Sequence, residues 1–164
     1  MPTPQFKIEL ESINKLLADG LEDILSRHWE EIALDRDTTP LAVDWQTYRD
    51  LERAGILKPY VMRTPSGALM GYNVHFLRPP LHYSTERWSA NDILFLDQRF
   101  RKGRAGIDLV RGVEPLLREA GAQKVIYHTK LHVEFGHGRA RATLGRLFQA
   151  MGYLLSEEVW TKRL

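Results

Sequence analysis

The sequence predicts an α/β (α+β) fold built on one mixed sheet, and three observations support this prediction. Apolar residues recur at three- and four-residue steps early in the chain, then alternate with a period of two, and later form short continuous apolar runs. Pro- and Gly-containing turns separate these segments. The 164 residues are expected to form a single domain, 1–164, because folded domains cluster near roughly 100–150 residues.

The elements are expected in the order strand, two helices, three strands, helix, strand, helix, strand. Period-two patterns and short apolar runs predict strands at 5–10, 60–63, 68–77, 93–97, 124–129 and 158–164. Helical spacing predicts helices at 12–33, 45–54, 104–120 and 143–151. Ser12 is a candidate N-cap for the first helix, and Gly20 weakens or splits that helix at a cost of about 1 kcal/mol. Pro115 predicts a kink or a new start inside the third helix.

Composition excludes several classes of protein. The chain has no cysteine, so disulfide frameworks, thiol nucleophiles and cysteine zinc sites are ruled out. No apolar run reaches the roughly 20 residues of a membrane helix, and the first ten residues lack the apolar core of a secretion signal. We therefore expect a soluble, cytoplasmic protein that does not associate with membranes.

The small net charge of +2 hides an uneven distribution. Residues 1–97 carry 10 basic and 15 acidic residues, whereas residues 98–164 carry 13 basic and 6 acidic ones. Such asymmetry predicts an anionic partner for the basic part of the chain.

The segment with most functional information runs from Leu94 to Val110, LFLDQRFRKGRAGIDLV. A buried strand leads into a basic, glycine-bearing turn, and the turn opens a helix. Helix N-termini present unpaired N–H groups and a positive dipole end, so this turn suits phosphate groups. Neither the P-loop pattern nor the dinucleotide fingerprint is present, and a solvated basic turn is the plain alternative.

This turn resembles the pyrophosphate-binding motif Q/R-x-x-G-x-G/A of GNAT-type N-acetyltransferases. Arg101 matches the first position and Gly106 the last, while Arg104 replaces the usual middle glycine and Gly103 stands one residue earlier. LFQAMGY (147–153) resembles the last helix and turn of that family. LHY (81–83), NDILFL (91–96) and YHTK (127–130) resemble a subgroup common in bacterial and tailed-phage proteins.

The resemblance implies a GNAT-like fold: a twisted, mostly antiparallel mixed sheet of about six to seven strands, about four flanking helices, and a splayed parallel strand pair. It implies acetyl-CoA (coenzyme A) as cofactor, bound between strands 93–97 and 124–129. The backbone of the central strand would pair with the pantetheine arm and the basic turn would hold the pyrophosphate. The residues implied in binding are Phe95, Leu96, Arg99, Arg101, Lys102, Gly103, Arg104, Ala105, Gly106, Thr129 and Phe148.

The reaction implied is direct transfer of an acetyl group to a primary amine of a small molecule or protein. An ammonium with a pKa near 10.4 must lose a proton before it can attack, so a base is needed. Asp92 is the first candidate and Glu134 the second. Glu30 or Glu31 could instead orient the amine, and His82 and Tyr83 are expected to border the substrate mouth.

Protonation of the leaving thiolate is the second step that needs a residue. Many family members use a Tyr four residues before the glycine of the last turn, and counting back from Gly152 gives Phe148. Tyr127, His128 or water could substitute, because a thiol with a pKa near 8.5 leaves tolerably well as its anion. A domain that binds CoA or a partner without turnover is the alternative.

Two further functions are weaker. The histidines match no metal motif, so no metal is expected. Arg139, Arg141 and Arg146 could serve nucleic acid, but the acidic first 97 residues make a nucleic-acid partner unlikely. A homodimer is an open alternative.

Overall fold

The computed structural model describes residues 6–130 and 140–162, without the side chains of 140–143. The strands are β1 (Lys7–Leu10), β2 (Leu57–Arg63), β3 (Leu69–Arg78), β4 (Trp88–Leu96) and β5 (Lys124–Ile126). The helices are α1 (Ile13–Ala18), α2 (Leu21–Ile32), α3 (Trp45–Arg53), α4 (Ala105–Glu119) and α5 (Ala140–Ala150). A short 3-10 turn, Gln98–Phe100, follows β4.

The five strands form one mixed sheet in the order β1-β2-β3-β4-β5. The first three pairings are antiparallel and the β4–β5 pairing is parallel. The mixed, mostly antiparallel sheet is thus confirmed. The described residues contain five strands, where six to seven were expected, and five helices, where about four were expected.

Each face of the sheet carries its own apolar cluster. One cluster packs β2–β4 against α1–α3 and includes Ile13, Leu16, Val61, Tyr72 and Phe95. The other packs β2–β4 against α4 and contains Met62, Leu96, Leu109, Val113 and Leu117, among others. Successive strand residues alternate between these clusters, as the pleat of a sheet requires.

The predicted long first helix is two helices. The Ser12 side chain accepts a hydrogen bond from the Lys15 N–H at 3.2 Å and caps α1. Gly20 has a left-handed backbone conformation, φ +83°, which separates α1 from α2. Pro115, in contrast, lies inside α4 without dividing it.

The central strand begins earlier than predicted. β4 starts at Trp88 rather than at residue 93, and Ser89 and Asn91 are buried polar residues within it. A polar residue can occupy a buried strand when a neighbouring strand supplies its hydrogen bonds. The Ser89 hydroxyl has His75 Nδ1 at 2.8 Å, on β3.

The end of the chain contradicts one prediction. Residues 158–162, placed in a final strand at 158–164, form neither helix nor strand; residues 163–164 lie outside the described part. The side chains of Leu154, Leu155, Val159 and Trp160 are exposed. A strand-forming pattern without a strand alongside it leaves its backbone groups to water.

The chain divides into two compact units, Met1–His128 and Thr129–Leu164. The first contains the sheet and four helices, and the second contains α5. The single domain spanning 1–164 stays a prediction. No helix in residues 6–130 or 140–162 is long and apolar enough to cross a membrane.

Candidate functional site

The middle of β4 contains a β-bulge. The register pairs Val74 with Ile93 and His75 with Asn91, so Asp92 is the extra residue on β4. The Asn91 side-chain nitrogen lies 3.1 Å from the Val74 carbonyl oxygen and 3.0 Å from that of Ile93. A buried amide thus stabilises the irregular backbone on both sides of Asp92.

The Asp92 carboxylate faces α3. Tyr48, on that helix, donates its hydroxyl hydrogen to Asp92 Oδ2 over 2.6 Å. Burial raises the pKa of Tyr48, and the hydrogen bond to Asp92 raises it further. Tyr48 therefore remains a proton donor at neutral pH and holds one oxygen of the carboxylate.

Two other predicted catalytic residues lie near the bulge. The Asn73 amide donates to the Tyr127 hydroxyl at 2.8 Å, and Asn73 in turn accepts from Asn91 at 3.0 Å. His128 Nδ1 lies 3.2 Å from the Asn91 carbonyl oxygen, and since a carbonyl only accepts, the ring nitrogen donates. Burial raises the pKa of Tyr127. Glu134, the second candidate base, lies outside the described residues.

The parallel strands β4 and β5 pair over a short stretch. Pairing ends at Ala90 with Ile126, while β4 continues to Leu96. The Asp97 N–H donates to the Met70 carbonyl at 2.9 Å, and hydrogen-bonded positions alternate along an antiparallel pair. The backbone groups of Phe95 consequently turn toward β3, and those of Leu94 and Leu96 turn toward the side on which β5 pairs. Of the two residues predicted to pair with the pantetheine arm, Leu96 turns its backbone groups away from β3 and Phe95 does not; their roles stay a prediction.

Asp97 joins the end of β4 to α2 and to the following turn. Its carboxylate accepts from the Arg99 backbone N–H at 3.0 Å, from the Arg99 guanidinium at 2.8 and 3.0 Å, and from Arg27 on α2 at 3.0 Å. These bonds, with the Arg99 side chain first, hold the pKa of Asp97 well below its usual range although burial opposes them. Arg99, predicted to bind the cofactor, is thus paired with Asp97.

Within the part of the chain that the structure describes, Arg101 has three partners at this turn. Its Nε donates to the Leu96 carbonyl at 2.7 Å, and its guanidinium carbon lies 5.2 Å from the centre of the Phe95 ring. Its two terminal nitrogens bind the two carboxylate oxygens of Glu31 on α2, one of them at 2.7 Å. Glu31, expected at the substrate, therefore pairs with a residue expected at the cofactor.

The remainder of the turn is open. Gly103 adopts a left-handed conformation, φ +67°, and a Cβ placed on Gly106 would meet no atom of the described residues within 4 Å. Arg104 precedes α4 without a side-chain cap, and its Nε is 3.9 Å from Asp108. The helix begins at Ala105, so its first N–H groups have no partner within the helix and face outward from its end. Lys102 is exposed beside them.

A cleft of about 580 Å³ lies between α2 and the end of β4. We call it the α2 cleft; its lining residues are Arg27, Glu30, Glu31, Phe95, Asp97, Gln98 and Arg99. Among the described residues no partner is found for the Glu30 carboxylate, which is exposed. The lining has both signs of charge in close proximity.

Two predicted substrate residues of the first unit do not lie at the basic turn. His82 and Tyr83 precede β4, and the Tyr83 ring stacks on Trp88 at 5.3 Å. Trp88 and Leu96 are the two ends of β4, which at about 3.3 Å a residue places Tyr83 roughly 25 Å from the turn. Thr129 and Phe148 belong to the second unit, where the Phe148 ring meets that of Tyr153 at 5.2 Å.

Sequence reasoning missed Tyr48, Asn73 and Asn91. Tyr48 is 44 residues from Asp92, and no local pattern connects them. The adjacent polar residues Asn91 and Asp92, which interrupt alternation in an otherwise apolar strand, are the signal that could have indicated the bulge. Within the described ranges no group of His, Asp or Glu is arranged to hold a metal ion.

Comparisons place this fold among known ones. No protein-family model and no curated protein matches the chain. Among solved structures, it is similar to a ribosomal-protein-alanine N-acetyltransferase from Brucella melitensis biovar Abortus 2308, with 13% identity and a TM-score of 0.67 over 98% of this chain and 99% of that one. It is also similar to glucosamine-6-phosphate N-acetyltransferase from Arabidopsis thaliana, with 14% identity and a TM-score of 0.67 over 97% and 98% of the two chains.

A third similar structure is AAC(6')-Iy in complex with a bisubstrate analogue, CoA-S-monomethyl-acetylneamine, with 15% identity and a TM-score of 0.63 over 98% of both chains. The chain therefore has the fold of the GNAT acetyltransferases. The bacterial and phage-like subgroup stays a prediction.

Proposed function

We propose that this protein is an acetyl-CoA-dependent N-acetyltransferase that acts on a primary amine of a small molecule or protein. The observation that carries the proposal is the strand–turn–helix segment from β4 to α4, with a bulge at Asp92 in the strand and open N–H groups at the helix start. The acetyltransferases of the same fold support the class of reaction. The absence of cysteine suits a reducing cytoplasm.

The residues present fit an acetyl-CoA molecule. The outward N–H groups at the start of α4, the open space at Gly106 and the exposed cation of Lys102 suit a pyrophosphate. The backbone groups of Leu94 and the N–H of Leu96 turn to the side away from β3, where an extended amide-bearing arm can pair as an added strand, while the Leu96 carbonyl is bound by Arg101. When bound, the thioester supplies the acetyl group; the residues near the bulge act on the amine.

Asp92 has the geometry of a general base. Tyr48 occupies Oδ2, and the carboxylate's other oxygen can accept a proton from the amine. With acetyl-CoA bound, Asp92 would take the proton that the amine loses as it accepts the acetyl group from the thioester, and Tyr127 or water would protonate the departing thiolate. General-base assistance contributes typically about 10²–10⁴-fold in rate.

The acceptor is a cationic amine in this proposal. Glu30 and Phe95 both line the α2 cleft, and a carboxylate attracts an ammonium group. The cleft adjoins Phe95, three residues beyond Asp92 on β4, or roughly 10 Å along the strand. A substrate with its reacting amine at Asp92 and a second cationic group in the cleft spans that distance.

Titration calorimetry with CoA tests cofactor binding. The wild type is expected to bind, and replacing both Arg101 and Arg104 by Glu is expected to weaken binding at least tenfold, since two positive charges near the phosphates become negative. No binding of CoA or acetyl-CoA to the wild type would contradict the proposal.

A non-catalytic CoA-binding or partner-binding domain is the second candidate, and Phe148 favours it. Phenylalanine cannot donate a proton where many members of the fold family have tyrosine. A screen of polyamines, aminoglycosides, amino acids and Lys peptides for thiol release from acetyl-CoA separates the two functions. Steady turnover with any amine rules out the non-catalytic domain.

A further inference from the structure

Glu31 and Arg101 form an ion pair that joins α2 to the turn after β4. Both carboxylate oxygens of Glu31 contact the guanidinium, and the Glu31 side chain is only 12% exposed against 34% for Arg101. This two-point geometry is also the way in which a guanidinium binds a phosphate. Glu31 thus occupies the donors that an anionic ligand would use.

Arg101 has two further contacts that do not involve Glu31. Its Nε is bound to the Leu96 carbonyl and its guanidinium carbon lies over the Phe95 ring. Only the two terminal nitrogens of Arg101 donate to Glu31. If Glu31 turns away, Arg101 keeps two anchors on β4 and presents its terminal donors at the turn.

Glu31 is placed so that it can turn away. It lies on the last turn of α2, two residues before the C-cap Ala33. Its departure leaves the Arg27–Asp97 pair to join α2 to the end of β4. The exchange of partners therefore breaks the Glu31–Arg101 contact and leaves the Arg27–Asp97 pair between α2 and the end of β4 intact.

We propose that Glu31 is an internal competitor for the phosphate-binding donors of Arg101, and that it sets the affinity of the turn for ligands that carry a pyrophosphate. This inference rests on the proposed function. Binding of the cofactor requires Arg101 to exchange a carboxylate for a phosphate. The exchange lowers the measured affinity and leaves a free carboxylate at the wall of the α2 cleft.

The test is titration calorimetry on the full chain with CoA and, separately, with pantetheine, which lacks the phosphates. Replacing Glu31 by Gln is expected to tighten CoA binding about 1.5-fold to fivefold, the range of a partly exposed ion pair. Pantetheine binding is expected to stay unchanged. Glu30→Gln is the matched control, because it removes the same charge from the same helix turn without removing a partner of Arg101.

A double-mutant cycle isolates the pair. With Arg101 already replaced by Gln, the Glu31→Gln change is expected to have no further effect on CoA affinity beyond that of Glu30→Gln. Equal effects of Glu31→Gln and Glu30→Gln in the wild-type background would overturn the proposal. Weaker CoA binding by Glu31→Gln would also overturn it, since Glu31 would then hold Arg101 for the ligand. A wild type that does not bind CoA would contradict the proposed function itself.

Discussion

Asp97 connects the end of β4 to α2 and to the turn that leads to α4, and the contribution of these contacts to stability can be measured. The perturbation is Asp97→Ala, which removes the hydrogen bonds from Arg99 and Arg27. The bond from the Arg99 backbone N–H is equivalent to a helix cap, worth about 1 kcal/mol. The pairs with side chains that are 68% and 49% exposed contribute about 0.2–1 kcal/mol each after solvent screening. The expected loss in the free energy of unfolding is thus about 1.5–3 kcal/mol.

Asp97→Asn separates the charge from the cap. An Asn oxygen can still accept from the Arg99 N–H, so the expected loss falls to about 1–2 kcal/mol. Asp50→Asn is the control, because Asp50 forms an exposed pair with Arg53 and its loss is expected to cost under about 0.5 kcal/mol. Urea unfolding at pH 7, followed by circular dichroism, measures all three variants.

The pH dependence of stability gives a second readout for Asp97. Its folded-state pKa lies below the unfolded value, so the folded state binds fewer protons and the stabilisation is fully present above about pH 4. It is lost as the pH falls through the folded-state pKa. The difference between the wild type and Asp97→Asn is therefore expected to be constant from pH 7 to 5 and to shrink below pH 4. A loss equal to that of Asp50→Asn at pH 7, or a difference that grows in acid, would refute the reasoning.

Two further predictions concern stability. The Glu11 carboxylate accepts hydrogen bonds from Arg63 at 2.6 and 2.7 Å, and both side chains are nearly buried. Glu11→Gln is therefore expected to reduce the free energy of unfolding in urea by about 2–4 kcal/mol. Glu9→Gln, at an exposed pair, is expected to cost less than about 1 kcal/mol, and equal costs would contradict the role of burial. A Cβ on Gly71 would lie 2.4 Å from a backbone oxygen. Gly71→Ala is therefore expected to reduce the free energy of unfolding by about 1–3 kcal/mol and to lower the thermal midpoint. Gly106→Ala meets open space and is expected to keep or raise that midpoint; a Gly71→Ala protein as stable as Gly106→Ala would be inconsistent with the clash.

Local patterns predicted most elements of the first unit. The split at Gly20, the cap at Ser12 and the strand–turn–helix from β4 to α4 all depend on residues within a few positions of one another. Such short-range determinants are written in a local stretch of sequence. The position of the basic turn can therefore be predicted from the sequence alone.

Contacts between distant residues could not be predicted in this way. Glu31 and Arg101 are 70 residues apart, and the pairing of Tyr48 with Asp92 depends on how α3 lies on the sheet. The early start of β4 was missed because Ser89 and Asn91 look like loop residues until β3 supplies their partners. The strand predicted at 158–164 shows the opposite case. Alternating apolar and polar residues make a segment suitable for a sheet, but a strand forms only where the segment pairs with another strand.

The central claim is that Asp92, at the bulge of β4, acts on an amine next to an acetyl thioester. The most direct test is thiol release from acetyl-CoA with a panel of polyamines, aminoglycosides and Lys peptides, comparing the wild type with Asp92→Asn. The account predicts amine-dependent release by the wild type and a loss of about 10²–10⁴-fold in kcat in the variant, with CoA affinity retained. Equal turnover by the two proteins would contradict the role of Asp92, and no release with any amine would contradict the proposed reaction.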